Sequence, residues 1–387
     1  MQNFEYYNPT RLLFGDNHYN RLTSLINEVA PNQKVMLAYG GGSIFENGVH
    51  AKVIEGLDKL DVIEFGGIEA NPEFSTLMQA AEICKKENVG FVLAVGGGSV
   101  IDGVKFIVGA AKYEGDPWEV LERKPGCTFK KAIPFGSVLT LPATGSEANS
   151  GAVISRSEMK MKLTMGGPLF FPVFSLCDPN VVASLPQRQI ANGIVDAYMH
   201  TLEQYLTYPS ENLLQERQAE GILSTLLEIG PKVLVNPSDY KLAANFMWCA
   251  TQALNGLLRC GVPTDWATHM IGHELTALHG VDHARTLAII APRLWENQFE
   301  NKKLKLEQYG HRVLGLSGDN IAKDAIHKTE AFFNELGIKT KLSEYTSETS
   351  ETSDIIKSRF IERNWMAMGE RKAITPEDVE SIVQLSI

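Results

Sequence analysis

The stretch Gly90–Phe106, GFVLAVGGGSVIDGVKF, decides how the first half of this chain is read. Apolar residues run without a break through Gly90–Val95, as in a strand buried on both faces of a sheet, and they end at Gly96-Gly97-Gly98-Ser99, where a helix opens. The same order recurs upstream, where the strand-like Lys34–Tyr39 (KVMLAY) enters Gly40-Gly41-Gly42-Ser43. Glycines at such a turn let backbone N–H groups approach a phosphate, and a helix N-terminus adds favourable partial charge. A tight strand-to-helix turn with no ligand has the same composition. Two such loops in one half of the chain favour a dinucleotide. Neither is GxGxxG, because Phe45 and Ile101 take the last glycine position, and Val104 stands where a phosphate-loop lysine would fall.

Outward from these loops, Val62–Phe65, Ser137–Leu141 and Val173–Leu176 read as further strands, and Met159–Met165 as one arm of a hairpin. Ile44–Leu57 and Phe74–Lys86 have helical periodicity. Strands alternating with helices predict a parallel, Rossmann-like sheet covered on both faces. Thr144 and Ser146, in the loop after Ser137–Leu141, present hydroxyls to a phosphate or ribose, or cap the following helix. Beyond Asp178-Pro179 no strand is evident. Helices are expected over Pro186–Leu206, Leu213–Gly230, Tyr240–Leu258, Trp266–Leu278, Ala284–Trp295, Lys303–Val313 and Asp319–Glu335. Gly230-Pro231 and Gly337 read as helix ends, and Ser343–Asp354 as a surface loop. The expected organisation is an α/β dinucleotide-binding domain, 1–182, followed by an all-α metal-binding domain, 183–387.

The helical half carries the densest chemistry. Asp196 and His200 are four apart, and so are His269 and His273. Residues i and i+4 lie about 40° apart around a helix, so each pair aims two side chains at one point. Gly280 ends the second helix, and His283 just beyond it is free to turn back. One carboxylate with three imidazoles suits zinc or ferrous iron. His273-Glu274 begins like the HExxH of a zinc protease, but residue 277 is Ala. His279 projects about 120° from the His273 face and is left out of the set.

The formal net charge of −10 argues against a nucleic-acid or anionic-membrane surface. Five widely spaced cysteines without a CxxC pair give no disulfide framework and no thiolate metal site. No run approaches the roughly 20 apolar residues of a membrane span, and the N-terminus lacks signal-peptide features, so a cytoplasmic enzyme is expected.

Together the stretches PTRLLFG, YGGGS, LAVGGGSVIDGVKF, TLPATGSEANSGAVIS, LPQRQIANGIVDAYMHTLEQY and GVPTDWATHMIGHELTALHGVDHARTLAI resemble the iron-containing alcohol dehydrogenase family, nearest its bacterial butanol dehydrogenase and aldehyde reductase branch. The resemblance implies that Asp196, His200, His269 and His283 ligate one divalent metal, iron or zinc, with His273 beside it near the nicotinamide. It also implies that Gly96, Gly97, Gly98, Ser99 and Asp102 surround the pyrophosphate and nicotinamide, that Thr144 and Ser146 reach the cofactor, and that Lys162 lies near its adenosine end. The active site is expected in a cleft between the two domains.

The expected reaction interconverts small aldehydes and primary alcohols. A metal polarises the carbonyl, a nicotinamide delivers hydride, and a proton arrives through water, a ribose hydroxyl or His273. NADP(H) is expected over NAD(H), because no acid follows the early strand until Glu46, leaving Gly40–Ser43 open to a 2′-phosphate. A homodimer is expected, with Pro9–Phe14 as an arm pairing across a two-fold axis. Two rival readings are a cyclising lyase of the dehydroquinate synthase type, which would need Arg188, Arg259 and Arg285 for a polyanionic substrate, and a non-catalytic nucleotide-binding assembly protein.

Overall fold

The structure is a computed structural model and describes all residues, Met1–Ile387. Eight strands form: β1 (Arg11–Phe14), β2 (Val35–Tyr39), β3 (Val62–Phe65), β4 (Phe91–Gly97), β5 (Phe135–Leu141), β6 (Ala152–Arg156), β7 (Met161–Met165) and β8 (Phe174–Cys177). Six of them make a sheet in the order β1-β8-β5-β4-β2-β3, every neighbouring pair parallel. Val35–Ala38 and Phe91–Val95 are buried on both faces, which explains their unbroken apolar sequence. β6 and β7 pair as a separate antiparallel hairpin, as the reading of Met159–Met165 expected.

The strand order fixes where a ligand sits. From β2 the chain moves outward to β3, then returns to place β4 on the other side of β2 before continuing through β5 to β8. β2 and β4 therefore flank the point where the winding direction reverses, and crevices at the carboxyl ends of such strands bind nucleotides in open α/β sheets. Tyr39 pairs with Val95, so Gly40–Ser43 leaves the sheet beside Gly96-Gly97, the last residues of β4, and Gly98-Ser99 open the helix that follows.

The chain folds into two compact units. The sheet unit comprises Tyr7–Leu185 with Pro237–Thr251, and the helical unit comprises Met1–Tyr6, Pro186–Asn236 and Gln252–Ile387. Two segments thus depart from a single division at residue 182. Pro237–Thr251 joins the sheet unit because Met247 is fully buried in its apolar core, Trp248 packs edge-on against Phe14 at 5.5 Å, and the Thr251 hydroxyl donates to the Glu147 carboxylate at 2.6 Å. Met1–Tyr6 joins the helical unit through the Gln2 backbone amide, which donates to the Gly261 carbonyl at 2.9 Å.

Two expectations need correction, and the first strand stands at an edge. Arg11–Phe14 forms β1, the edge strand of the sheet, which pairs on one side with β8, register Arg11 to Phe174 through Phe14 to Cys177. The helix read over Ile44–Leu57 is two, Ser43–Glu46 and Val49–Gly56, broken at Gly48, whose φ of 77° a right-handed helix excludes. The helix beginning at Leu213 does not stop at Gly230-Pro231 but continues to Val235, because Leu226, Ile229 and Val233 are buried on one face and outweigh the hydrogen bond that Pro231 forfeits. Four helices lie outside the expected set, Leu22–Val29, Pro117–Leu121, Thr352–Glu362 and Pro376–Leu385. No helix is long and apolar enough to cross a membrane.

The glycine loops are also where backbone meets side chain most tightly. A Cβ on Gly98 would lie 2.3 Å from Thr144 Oγ1, and one on Gly96 2.4 Å from Val100 Cγ2, whereas Gly41 has open space. Gly98→Ala is therefore expected to lower stability by about 1–3 kcal/mol through overpacking against a stiff, β-branched Thr. Gly41→Ala is expected to change it by less than about 0.5 kcal/mol. Urea midpoints of the two variants check the contrast.

Candidate metal centre and cofactor loops

In the helical unit, Asp196 and His200 sit one turn apart on the helix Gln187–Tyr205, and His269 and His273 one turn apart on Ala267–His279. Gly280, in the left-handed conformation at φ 67°, ends the second helix, and His283 opens the next, His283–Asn297. Asp196 Oδ1 lies 3.8 Å from His200 Nε2 and 3.8 Å from His283 Nε2. Ligand atoms of Asp196, His200 and His269 all fall within 4.8 Å of one another. The His200 and His269 rings stack at 4.6 Å, and the His283 ring is 5.2 Å from His269. His273 is buried, its ring 4.8 Å from that of His283. His279 turns away to the Thr352 hydroxyl at 3.0 Å, in agreement with its exclusion from the set.

Asp196 Oδ1 is buried without a hydrogen bond. At 3.8 Å its imidazole neighbours are too far to bond it directly. Four donors about 2.1 Å from one tetrahedral ion would stand about 3.4 Å apart, so the spacing suits a shared cation.

The elements carrying these side chains are pinned by ionic contacts. Asp282, just before His283, accepts from Arg188 Nε and Nη2 and from Asn192 Nδ2, all at 2.8 Å, and ion-pairs with Arg285 at 3.4 Å. Burial raises the Asp282 carboxyl, but its bonds from Arg188 and Asn192 outweigh burial and hold it below its ordinary value. Glu274, beside His273, is buried and takes two arginines from the helix Thr352–Glu362 and its end, Arg359 at 2.8 Å and Arg363. Glu203, one turn beyond His200, accepts from His269 Nδ1. Burial, with the Asp265 carboxylate adding, pushes Glu203 up to about 8, while the Thr268 and His269 amides pull it down. A cation on His269 would pull the same way as the amides.

In the sheet unit, Ser99 Oγ donates to the Ala70 carbonyl and Thr144 Oγ1 accepts from the Ser146 amide at 3.1 Å. Ser146 also has a role within the protein. Its hydroxyl is buried, donates to Asp102 Oδ1 at 2.6 Å and accepts from Lys105 Nζ at 2.7 Å, so it braces the loops from behind. Lys105 also donates to the carbonyls of Ser146 (2.9 Å) and Gly151 (2.7 Å) and to Asn149 Oδ1 (3.0 Å). One ammonium thus ties the helix after Gly96–Ser99 to the turn Thr144–Gly151. Burial lowers Lys105 to about 8, against the pull of Asp102 and Glu147. Lys162 on β7 donates to Asn71 Oδ1 at 3.0 Å, and its charge helps oppose the burial that raises Asp102. Gly41, Gly42 and Ser43 are exposed.

Sequence reasoning missed Lys105 and Glu203. Glu203 follows Asp196 by seven and His200 by three, the same helix face, so its spacing carried a usable signal. Lys105 carried none, because its partners lie 41 to 46 residues away in sequence.

A parallel sheet with paired glycine loops at its switch point, and a buried carboxylate–imidazole cluster in a helical unit, define a metal-dependent nicotinamide oxidoreductase. Residues 9–179 match the iron-containing alcohol dehydrogenase domain and residues 190–387 the C-terminal domain of the Fe-containing alcohol dehydrogenases, and the chain belongs to this family. It is 48% identical over 380 residues, 97% of either chain, to the NADPH-dependent aldehyde reductase YqhD of Escherichia coli. It is 40% identical, over the whole of both chains, to a probable NADH-dependent butanol dehydrogenase of Bacillus subtilis. A crystal structure of YqhD superposes with a TM-score of 0.96 at 46% identity, covering 100% of this chain and 99% of that one. Of the three arginines that the lyase reading would need, Arg188 and Arg285 pair with Asp282.

Replacing Lys105 by Met keeps the volume and removes four hydrogen bonds and the balancing charge. A loss of about 3 kcal/mol or more is expected, as for one partner removed from a buried ionic network. Chemical denaturation of Lys105→Met against the parent checks it.

Proposed function

We propose that this protein is an NADPH-preferring reductase of short- to medium-chain aldehydes, with Asp196, His200, His269 and His283 holding one divalent metal, iron or zinc. The observation that carries the metal assignment is the buried Asp196 Oδ1, without a hydrogen bond and with two imidazole Nε2 atoms at 3.8 Å. When bound, the metal supplies Lewis-acid polarisation of the substrate oxygen and the reduced nicotinamide supplies hydride. The chain's own residues do the rest. Gly40–Ser43 and Gly96–Ser99 present backbone at the switch point, with Asp102, Thr144 and Ser146 shaping the wall between them. Lys162 with Asn71 forms the cationic edge of this cradle. His273, buried one turn from His269, relays the proton through its imidazole. The homodimer remains part of this reading, with the edge strand β1 as the segment that would pair across a two-fold axis.

The NADPH preference rests on the opening after β2. No acid stands there before Glu46, and nothing lies within 4 Å of a Cβ on Gly41 or Gly42. That room accommodates a 2′-phosphate, which an acidic side chain in the same place would repel. The helix after the loop spans only Ser43–Glu46, so open space and backbone N–H groups carry the preference in place of a long helix dipole. The relative at 48% identity is NADPH-dependent, while the butanol dehydrogenases at 40% and 35% are named for NADH.

Oxidation of NADPH and NADH with butanal as acceptor tests the preference. A higher kcat/KM with NADPH is expected, and Gly41→Asp, which has room for its side chain, is expected to weaken NADPH much more than NADH. Equal or better use of NADH by the parent contradicts the preference. Metal content tests the centre: His269→Ala is expected to lose the metal and turnover while keeping its circular dichroism.

A further inference from the structure

The Glu203 carboxylate does two jobs at once. Oε1 accepts the Thr268 amide at 2.7 Å and the His269 amide at 3.4 Å, two of the N–H groups that the start of a helix leaves without intrahelical partners. Oε2 accepts from Nδ1 of the His269 ring. The turn leading into this helix depends on the same residue. Asp265 N donates to the Glu203 carbonyl at 2.9 Å, Asp265 Oδ1 accepts the Ala267 amide at 2.9 Å, and Trp266 between them is held at φ 66°. Glu203 is 3% exposed, so no water competes for either oxygen.

We infer that Glu203 is a positioning residue that fixes the tautomer and orientation of His269, so that Nε2 carries no proton and points at the cation. The inference rests on the metal reading of the Asp196–His283 cluster and adds a residue to it. An imidazole that gives the Nε2 lone pair to a metal must carry its proton on Nδ1, which then needs an acceptor. Glu203 Oε2 is that acceptor. The double role also explains why the residue is an acid. A carboxylate accepts on both oxygens, whereas the isosteric amide of Gln accepts on one side only. With its oxygen toward Thr268, Gln would point N–H at Nδ1, moving the ring proton to Nε2 and blocking metal. Flipped, it would set N–H against the Thr268 amide.

This chemistry separates a tautomer-setting role from helix capping alone. If Glu203 merely capped the helix, Glu203→Gln would keep the cap and bind metal nearly as the parent does, and better than Glu203→Ala. If it sets the tautomer, Gln is the worse substitution of the two. The experiment loads parent, Glu203→Gln, Glu203→Ala and His269→Ala with Co(II), following its visible d–d bands and titrating out the ion with a chelator. The expected result is an apparent Kd raised about tenfold or more in Glu203→Gln, at least as much as in Glu203→Ala, with unchanged circular dichroism. A smaller effect in Gln, or tighter binding than in Ala, overturns the inference and leaves the metal reading in place. Parent-like Co(II) binding by His269→Ala removes the metal reading, and this inference with it. If Glu203→Gln does not fold, long-range 15N NMR of histidine-labelled, zinc-loaded parent decides. A proton on His269 Nδ1 is expected, and its absence overturns the assignment.

Discussion

A carboxylate oxygen that is buried, lacks a hydrogen bond and stands 3.8 Å from two imidazoles demands positive charge among its neighbours. That demand, at Asp196, organises the helical unit. The i,i+4 spacing sets Asp196 with His200 and His269 with His273, Gly280 turns the chain so that His283 returns to Asp196, and the outlying charges hold these elements still. Arg188, Asn192 and Arg285 fasten Asp282, Arg359 and Arg363 fasten Glu274, and Glu203 fastens His269 itself. At His269 the Glu203 carboxylate restricts the orientation of the ring directly, while Asp282 and Glu274 steady the helices that carry His283 and His273.

The sheet unit meets a different constraint. Binding a dinucleotide at a switch point requires bare backbone at the ends of two adjacent strands, and bare backbone has no side chains to hold it in shape. Lys105 supplies the missing rigidity from below, joining the helix after Gly96–Ser99 to the turn Thr144–Gly151 through four hydrogen bonds. Its chain of contacts runs through the Ser146 hydroxyl to Asp102, and Asp102 continues to the Val153 amide at 2.9 Å. A hydroxyl and a carboxylate expected near the cofactor thus also brace the loop.

What was legible in the sequence follows the range of the interactions. Phe74–Lys86 and Val62–Phe65 form over the residues expected, because local periodicity and flanking turn residues decide them. The Asp196–His200 and His269–His273 pairs were legible for the same reason. Pro231 misleads, because the burial that carries the helix through it comes from tertiary packing. The Pro376–Leu385 helix carries a local signal too, the capping box of Thr375 with Asp378. Pairings such as Lys105 with Gly151, or Pro237–Thr251 with the sheet core, depend on the finished fold and leave no trace in spacing.

A single ion held by Asp196 and three imidazoles is the centre proposed for the helical unit. Anomalous diffraction from crystals of zinc- or iron-loaded protein, collected either side of the metal edge, tests it most directly. The expected map has one strong peak per chain, about 2.0–2.2 Å from an Asp196 carboxylate oxygen and from Nε2 of His200, His269 and His283. A peak elsewhere, or one with His269 or His283 turned out of reach, would contradict this assignment.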